Sequence, residues 1–205
     1  MDSDLSFKLQ LKDRFNNDIT STDLTCDDFV FAIALPATTA TPSCAAGASA
    51  TFDLSWKSTV AGSWSIAVTA TTGELSLSHT AVLTPLALDA SVSTYSAGIA
   101  PMAGDSGNLD IYAKDRFGNA KTAAGASFEA TVTGFTPLDG GDNVVPTLSL
   151  GAWSFNDGGR YAATYTATRS GVYSVTVTES GSTVGSGPFE LKVEPNRFWA
   201  PAMGA

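Results

Sequence analysis

The chain has few of the residues that binding to nucleic acid or anionic lipid requires. Its 205 residues include 11 lysine and arginine side chains against 20 aspartates and glutamates, which gives a net charge of −9. The acidic excess is spread along the chain, and no basic patch interrupts it. Because phosphate groups are bound chiefly through lysine and arginine, we expect no nucleic-acid partner and no anionic membrane partner.

Long apolar runs and catalytic motifs are also missing. No run approaches the ~18 apolar residues that cross a bilayer, and the polar start at residues 1–4 does not resemble a signal peptide. His79 is the only histidine, and no residues at metal-ligand spacing accompany it. The motifs GxGxxG, GxxxxGK[ST], HExxH and GxSxG do not occur. We therefore predict no membrane insertion, no enzyme activity, no cofactor and no small-molecule substrate.

One short phrase is written twice. Residues 12–17 (KDRFNN) return as residues 114–119 (KDRFGN), 102 positions later, and a second echo follows at a shift of 109. That second echo pairs Phe52 with Tyr161, Trp56 with Tyr165, Gly62 with Gly171, Trp64 with Tyr173, Ile66 with Val175 and Val68 with Val177. Two landmarks in the same order predict a tandem duplication of whole domains, with about seven extra residues in the second copy.

Apolar residues alternate with polar ones along most of the chain. Clear examples are residues 5–11, 29–35, 109–113, 161–165, 173–177 and 189–193. A period of two over five to eight residues, bounded by Gly, Asn and Asp, is typical of half-buried strands. Several short strands per 100 residues predict an all-β fold of two tandem immunoglobulin-like antiparallel β-sandwiches.

The second repeat resembles a filamin-type immunoglobulin domain. The matching pieces, in order, are residues 97–99, 115–119, 156–161, 165–173 and 185–189. Their chemistry suits the turns they would form, because the Gly-Asn of residues 118–119 can supply left-handed backbone after a strand. This resemblance implies filamin-type repeats, as in actin cross-linkers and in the tail of an algal flagellar outer-arm dynein heavy chain.

The first repeat matches the filamin pattern less completely. It keeps the turn phrase and the segment from Trp56 to Val68, but it lacks the Asn-Asp-Gly turn and begins almost at the family's strand B. Strand A is therefore absent or lies upstream, or residues from elsewhere complete the sheet. We predict domains at residues 1–87 and 88–193, followed by a tail at residues 194–205.

Other candidate residues have ordinary structural explanations. The acidic stretch at residues 139–143 could ligate calcium, but it lacks the spaced oxygen series of a dedicated loop and suits a plain turn. Asp115 and Asp157 occupy turn positions of the repeat. His79 suits an ordinary strand position. None of them predicts a metal site.

Two cysteines bear on the cellular compartment. Cys26 and Cys44 lie just before and just after the predicted strand at residues 29–35, so they could approach one another. A disulfide would indicate an oxidising compartment. Because disulfides are rare inside cells and the chain contains no Asn-x-Ser/Thr sequon, we expect reduced thiols.

The best candidate binding surface lies in the first repeat. Residues 29–52 contain no charged residue, and Val30, Ala32 and Ala34 are small and apolar where a solvated strand face is normally polar. The filamin resemblance implies that this edge can accept a partner's strand by β-augmentation. Alternatively, other parts of a larger protein or a flexible loop cover it. The tail segment 197–201 is one candidate strand donor.

Two functions fit the sequence. The first is a structural and protein-interaction module of a larger cytoplasmic, cytoskeleton-linked protein, with a flagellar dynein tail as one form. The alternative is a cell-surface adhesion ectodomain of the gamete-surface type. Both imply protein partners, bound by strand addition or by domain docking.

Overall fold

A computed structural model describes residues 3–20, 23–36, 38–73, 75–138 and 140–196. These residues are almost entirely strands and turns, with short 3₁₀ turns at Cys26–Asp28 and Asp157–Gly159. The chain divides into two compact units, Met1–Thr84 (unit 1) and Pro85–Ala205 (unit 2). The predicted all-β fold of antiparallel sandwiches is confirmed. The sequence-based domain ranges remain a prediction, and Leu86 already donates its backbone N–H to the Asp115 carboxylate of unit 2.

The described residues of unit 1 form seven strands in two antiparallel sheets. They are β1 Ser3–Gln10, β2 Phe29–Leu35, β3 Thr38–Ala40, β4 Ser43–Ala46, β5 Thr51–Ser58, β6 Gly62–Ala70 and β7 Ser76–Leu83. The strand order is β1-β5-β4 in one sheet and β3-β2-β6-β7 in the other. Alternation directs one side of each sheet inward, so that Phe52, Trp56, Trp64 and Ile66 are buried in a shared core.

In the part of unit 2 that the structure describes, there are nine strands. They are β8 Thr94–Ala97, β9 Ser106–Tyr112, β10 Phe128–Pro137, β11 Leu148–Leu150, β12 Ser154–Asn156, β13 Arg160–Ala167, β14 Gly171–Glu179, β15 Ser182–Thr183 and β16 Phe189–Val193. One sheet has the order β11-β13-β9-β8, with β12 also beside β13. In the other sheet, β14 lies between β10 on one side and β15 and β16 on the other.

The strand registers show the duplication residue by residue. Leu9 pairs with Phe52 in unit 1, and Ile111 pairs with Tyr161 in unit 2, which preserves both sequence shifts. Strand β2 corresponds to β10 at a different shift, since Phe29 and Phe128 face equivalent residues and lie 99 positions apart. Unit 2 is therefore shorter before this strand and longer after it.

Two equivalent aromatic residues occupy the same place in the two cores. Trp64 on β6 is 2 % exposed and Tyr173 on β14 is fully buried, as their predicted equivalence requires. The Trp64 Nε1 donates to the Val60 carbonyl at 3.3 Å, and the Tyr173 hydroxyl donates to the Arg169 carbonyl at 2.7 Å. Each side chain thus donates a hydrogen bond to the backbone carbonyl four residues earlier.

Candidate functional site

The outer side of the β3-β2-β6-β7 sheet is the surface of unit 1 that the sequence singled out. Val30, Ala32 and Ala34 lie on it, directed away from the core, and Val30 is 58 % exposed. The register places small uncharged residues beside them, and these complete what we call the outer face: Thr39, Ser63, Ser65, Ala67, Thr69, Ser76, Ser78, Thr80 and Val82. The described part of this face therefore carries no charged side chain.

Comparison within the protein makes this composition notable. On the other sheet of unit 1, Lys8 and Asp53 form an exposed ion pair at 3.4 Å between Nζ and Oδ1. On the corresponding sheet of unit 2, the counterpart of Val30 is Glu129, and β16 contributes Glu190 and Lys192. The lack of charge is thus particular to one face of unit 1.

The edge of β2 offers main-chain groups next to this face. Strand β3 pairs only with Ile33–Leu35, and among the described residues no strand pairs with Phe29–Ala32 on the side away from β6. Half of the predicted strand-accepting edge is therefore occupied by the protein's own β3. The role of Val30, Ala32 and Ala34 in binding stays a prediction, and the tail segment 197–201 lies outside the described residues.

Cys26 and Cys44 form a disulfide, so the expectation of reduced thiols is wrong. Cys26 lies in the 3₁₀ turn that leads into β2, and Cys44 lies on β4 of the opposite sheet, with their Cα atoms 6.0 Å apart. The turn is held by Asp28, whose carboxylate accepts the Thr25 backbone N–H at 2.7 Å. Sequence distance alone could not show that the two sheets bring these residues within bonding range.

The duplicated turn phrase forms the same hydrogen-bonded turn in both units. The Asp13 carboxylate accepts the backbone N–H groups of Phe15 and Asn17, and left-handed backbone follows at Asn16, where φ is 67°. The same bonds recur at Asp115, with the left-handed residue at Gly118. These are the turns that the sequence predicted.

Burial separates the two aspartates. Asp13 is exposed, whereas Asp115 is fully buried and accepts the additional N–H of Leu86 at 3.0 Å. Burial raises the pKa of the Asp115 carboxyl, but hydrogen bonds from the Asn119 side chain and from three backbone N–H groups outweigh it and hold the pKa below 3.8. At Asp13 the pKa is lowered first by the hydrogen bond from the Asn17 side chain.

The remaining candidates are engaged in ordinary contacts. His79 lies exposed on β7 and stacks on Phe7, with ring centroids 5.4 Å apart. Asp142 forms an ion pair with Arg169 at 2.6 Å, and residue 139 lies outside the described residues. Within the ranges that the structure describes, no three His, Cys, Asp or Glu residues gather as a metal site would need, and no helix has the length and apolarity to span a membrane.

Solved structures of three bacterial proteins share this fold. The chain is similar to the adhesin FdeC of Escherichia coli (TM-score 0.68, 22 % identity), matching over 95 % of this chain and 59 % of that one. InvD of Yersinia pseudotuberculosis gives a TM-score of 0.66 at 22 % identity over 98 % and 55 % of the two chains. Invasin, a bacterial integrin-binding protein, gives 0.61 at 17 % identity over 93 % and 36 %.

These similarities define the fold class and nothing finer. The chain is a tandem of immunoglobulin-like domains, and it spans between about a third and three fifths of the length of the solved chains that it matches. No family model matches the sequence, and neither does any curated protein.

Proposed function

We propose that this tandem of immunoglobulin-like domains is a non-enzymatic interaction module of a protein displayed at the cell surface. The observation that carries the proposal is the Cys26–Cys44 disulfide, since disulfides persist in oxidising compartments and are rare in the cytosol. The similarity to FdeC, described as an adhesin, and to invasin, described as integrin-binding, supports the same conclusion. Adhesion is therefore the favoured role.

The outer face of unit 1 is the surface that we assign to the partner. Charged residues are depleted at the centres of protein interfaces, because each charge must be desolvated on binding. The face around Ala32 already meets that requirement, and hydroxyl groups such as that of Ser65, which donates to the Ala34 carbonyl at 3.2 Å, keep it compatible with water. The unpaired side of Phe29–Ala32 can add a partner's strand at its border.

The intracellular alternative has a different basis. A filamin-type module in a cytoskeletal protein, or in a flagellar dynein tail, is supported by the duplicated turn phrase and by the other filamin-like pieces of the second repeat. Those pieces describe turns between strands, and such turns serve any sandwich of this topology. The disulfide weighs against a reducing cytoplasm.

Labelling of intact cells tests the proposed location. An antibody against the tandem should stain the producing cells without permeabilisation, and the protein recovered from their surface should show no free thiol under denaturing, non-reducing conditions. Staining that requires permeabilisation, together with two titratable thiols, would favour the cytoskeletal alternative instead.

A charge on the outer face should weaken partner binding. Ala32 is exposed and directed away from the core, so Ala32→Glu should leave the melting temperature unchanged. It should lower recovery of a surface-labelled partner in a pull-down by about tenfold or more, because the partner must desolvate an unpaired carboxylate. Thr131→Glu places the same charge at the equivalent position of unit 2 and is the matched control. Equal recovery with both variants would remove the outer face from consideration.

A further inference from the structure

A cavity of about 300 Å³ opens on unit 1 between β3 and the turn that joins β5 to β6. One wall is β3 together with Thr41, which follows it, and the other wall is formed by residues 57–60. Trp64, which is 2 % exposed, lines the inner side. We call this cavity the threonine pocket. It shares Thr39 with the outer face and is otherwise separate from it.

Hydroxyl groups predominate among the side chains of the threonine pocket. Thr38, Thr39 and Thr41 contribute them from one wall, and Ser58 contributes one from the other. A threonine or serine hydroxyl donates one hydrogen bond and can accept two, which is also the capacity of an alcohol group on a ligand. The Ser58 hydroxyl is already engaged, because it accepts the Val60 backbone N–H at 3.0 Å and so holds the turn. Contacts to a ligand therefore fall chiefly to the threonines.

Strand β3 also offers main-chain groups. It pairs with β2 on one side, at Ile33–Leu35, and among the described residues no strand pairs with its other side. N–H and C=O groups on an unpaired side of a strand take their partners from solvent or from a ligand. An alcohol group can serve both kinds, because it donates and accepts.

A larger side chain lies at the equivalent position of unit 2. The counterpart of Val60 is Arg169, since each backbone carbonyl accepts the hydrogen bond that the equivalent buried aromatic side chain donates. Arg169 lies over the Phe135 ring, 5.1 Å from its centroid. Within the described part of unit 2, no strand pairs with β10 on the side away from β14, so β3 has no counterpart there. Both walls of the pocket thus differ between the two copies of the duplication.

Charge and size narrow the class of ligand. Lys57 is the charged residue that lines the pocket, and no carboxylate accompanies it, so a metal ion or an organic cation finds no counter-charge. The field of a chain with a net charge of −9 disfavours an anion. The volume lies at the lower end of the ~300–1,000 Å³ range of small-molecule sites, which suits a single ring.

We propose that the threonine pocket binds one neutral pyranose ring of a glycan. The sugar hydroxyls exchange hydrogen bonds with Thr38, Thr41 and the unpaired side of β3, and a C–H face of the ring lies against Ala40 and Val60. The pocket offers both kinds of contact that such a ring needs, since a pyranose has hydroxyl groups around its edge and apolar C–H groups on its faces. This binding does not depend on the outer face or on its protein partner.

Amide chemical shifts of the ¹⁵N-labelled full chain test the proposal. The probes are the methyl pyranosides of glucose, galactose, mannose, fucose and N-acetylglucosamine. At least one should shift the amides of residues 38–41 and 58–60 with a dissociation constant of about 1 mM or tighter. The equivalent turn of unit 2, at residues 167–171, should not respond. No saturable shift with any of the five up to about 10 mM, ten times that constant, would overturn the proposal.

Two substitutions test the site. Val60→Arg gives unit 1 the residue that unit 2 has at this position and should raise the dissociation constant by about tenfold or more, because the side chain fills the cavity. Val144→Arg is the matched control, since Val144 is an exposed valine of unit 2 (67 %), and it should bind as the wild type does. Thr41→Val removes one hydroxyl at nearly constant volume and should raise the constant by about threefold to tenfold. Binding that survives both Val60→Arg and Thr41→Val would contradict the assignment of this pocket.

A methyl glucuronide probe separates neutral from acidic sugars. It differs from the methyl glucoside in carrying a carboxylate, and we expect it to bind no more tightly than the neutral rings, because the acidic chain repels it. A response to the glucuronide alone would overturn the neutral class and would point to Lys57 as the main contact.

Discussion

Trp64→Ala should lower the free energy of unfolding of unit 1 by about 3–5 kcal/mol, the usual cost of deleting a large buried aromatic side chain. Trp64 is 2 % exposed and lies in the core formed by the two sheets. The substitution leaves a cavity between them and removes the hydrogen bond from Nε1 to the Val60 carbonyl. The free energy of unfolding of a small domain is about 5–15 kcal/mol in total, so this loss is a large fraction of the stability of unit 1.

Hydrogen exchange at the amides of β6 and β14 measures the stability of each of the two units separately. Trp64→Ala should weaken protection in β6, and Tyr173→Ala should do the same in β14. Tyr173→Phe is the conservative control, because it keeps the ring and removes only the bond to Arg169, at a cost of about 1 kcal/mol. If Trp64→Ala left protection in β6 unchanged, the placement of this side chain in the core would be wrong.

Asp115→Ala should destabilise unit 2 by about 3 kcal/mol. The buried carboxylate accepts N–H groups of Leu86, Phe117 and Asn119, and alanine would leave these donors without their partner. Each buried donor left unsatisfied costs about 1–3 kcal/mol. Urea unfolding, followed through hydrogen exchange at the amides of β14, measures the change in the free energy of unfolding of unit 2.

Asp13→Ala is the matched control in unit 1. It removes the same turn bonds at an exposed site, where water can replace the carboxylate, so the expected cost is clearly smaller than that of Asp115→Ala. The pH dependence supplies a second check. Because the folded pKa of Asp115 is depressed, its stabilisation is present above the ordinary value of 3.8 and is lost as pH falls through the folded pKa. The difference in free energy of unfolding between wild type and Asp115→Ala should therefore become smaller in acid. Equal losses of stability for Asp13→Ala and Asp115→Ala would contradict the burial of Asp115.

Sequence reasoning succeeded where local patterns control the structure. The period of two located most long strands, and the repeated phrase predicted the left-handed backbone that is found at Gly118. The aligned aromatics Trp64 and Tyr173 are equivalent in the structure because each lies on the central strand of its sheet. Such features depend on neighbours along the chain and on strand pairing, which periodicity records.

The errors lie where distant segments meet. The expectation that Cys26 and Cys44 are reduced rests on the rarity of disulfides inside cells. Whether they bond depends instead on how a 3₁₀ turn and β4 lie across the sandwich. Strands β3 and β4 have only three and four residues in an Ala/Ser/Thr-rich segment, too short for alternation to show. The Asp115 carboxylate also accepts the backbone N–H of Leu86, a residue that the turn phrase does not contain.

The disulfide also determines how unit 1 would yield to tension. Eighteen positions separate Cys26 from Cys44, and the covalent bond bypasses all of them when the chain is pulled from its ends. At about 3.3–3.6 Å per extended residue, roughly 60 Å of contour length stays locked until the bond is reduced. The described residues of unit 2 contain no disulfide. Two domains from one duplication would therefore lengthen by different amounts under the same force.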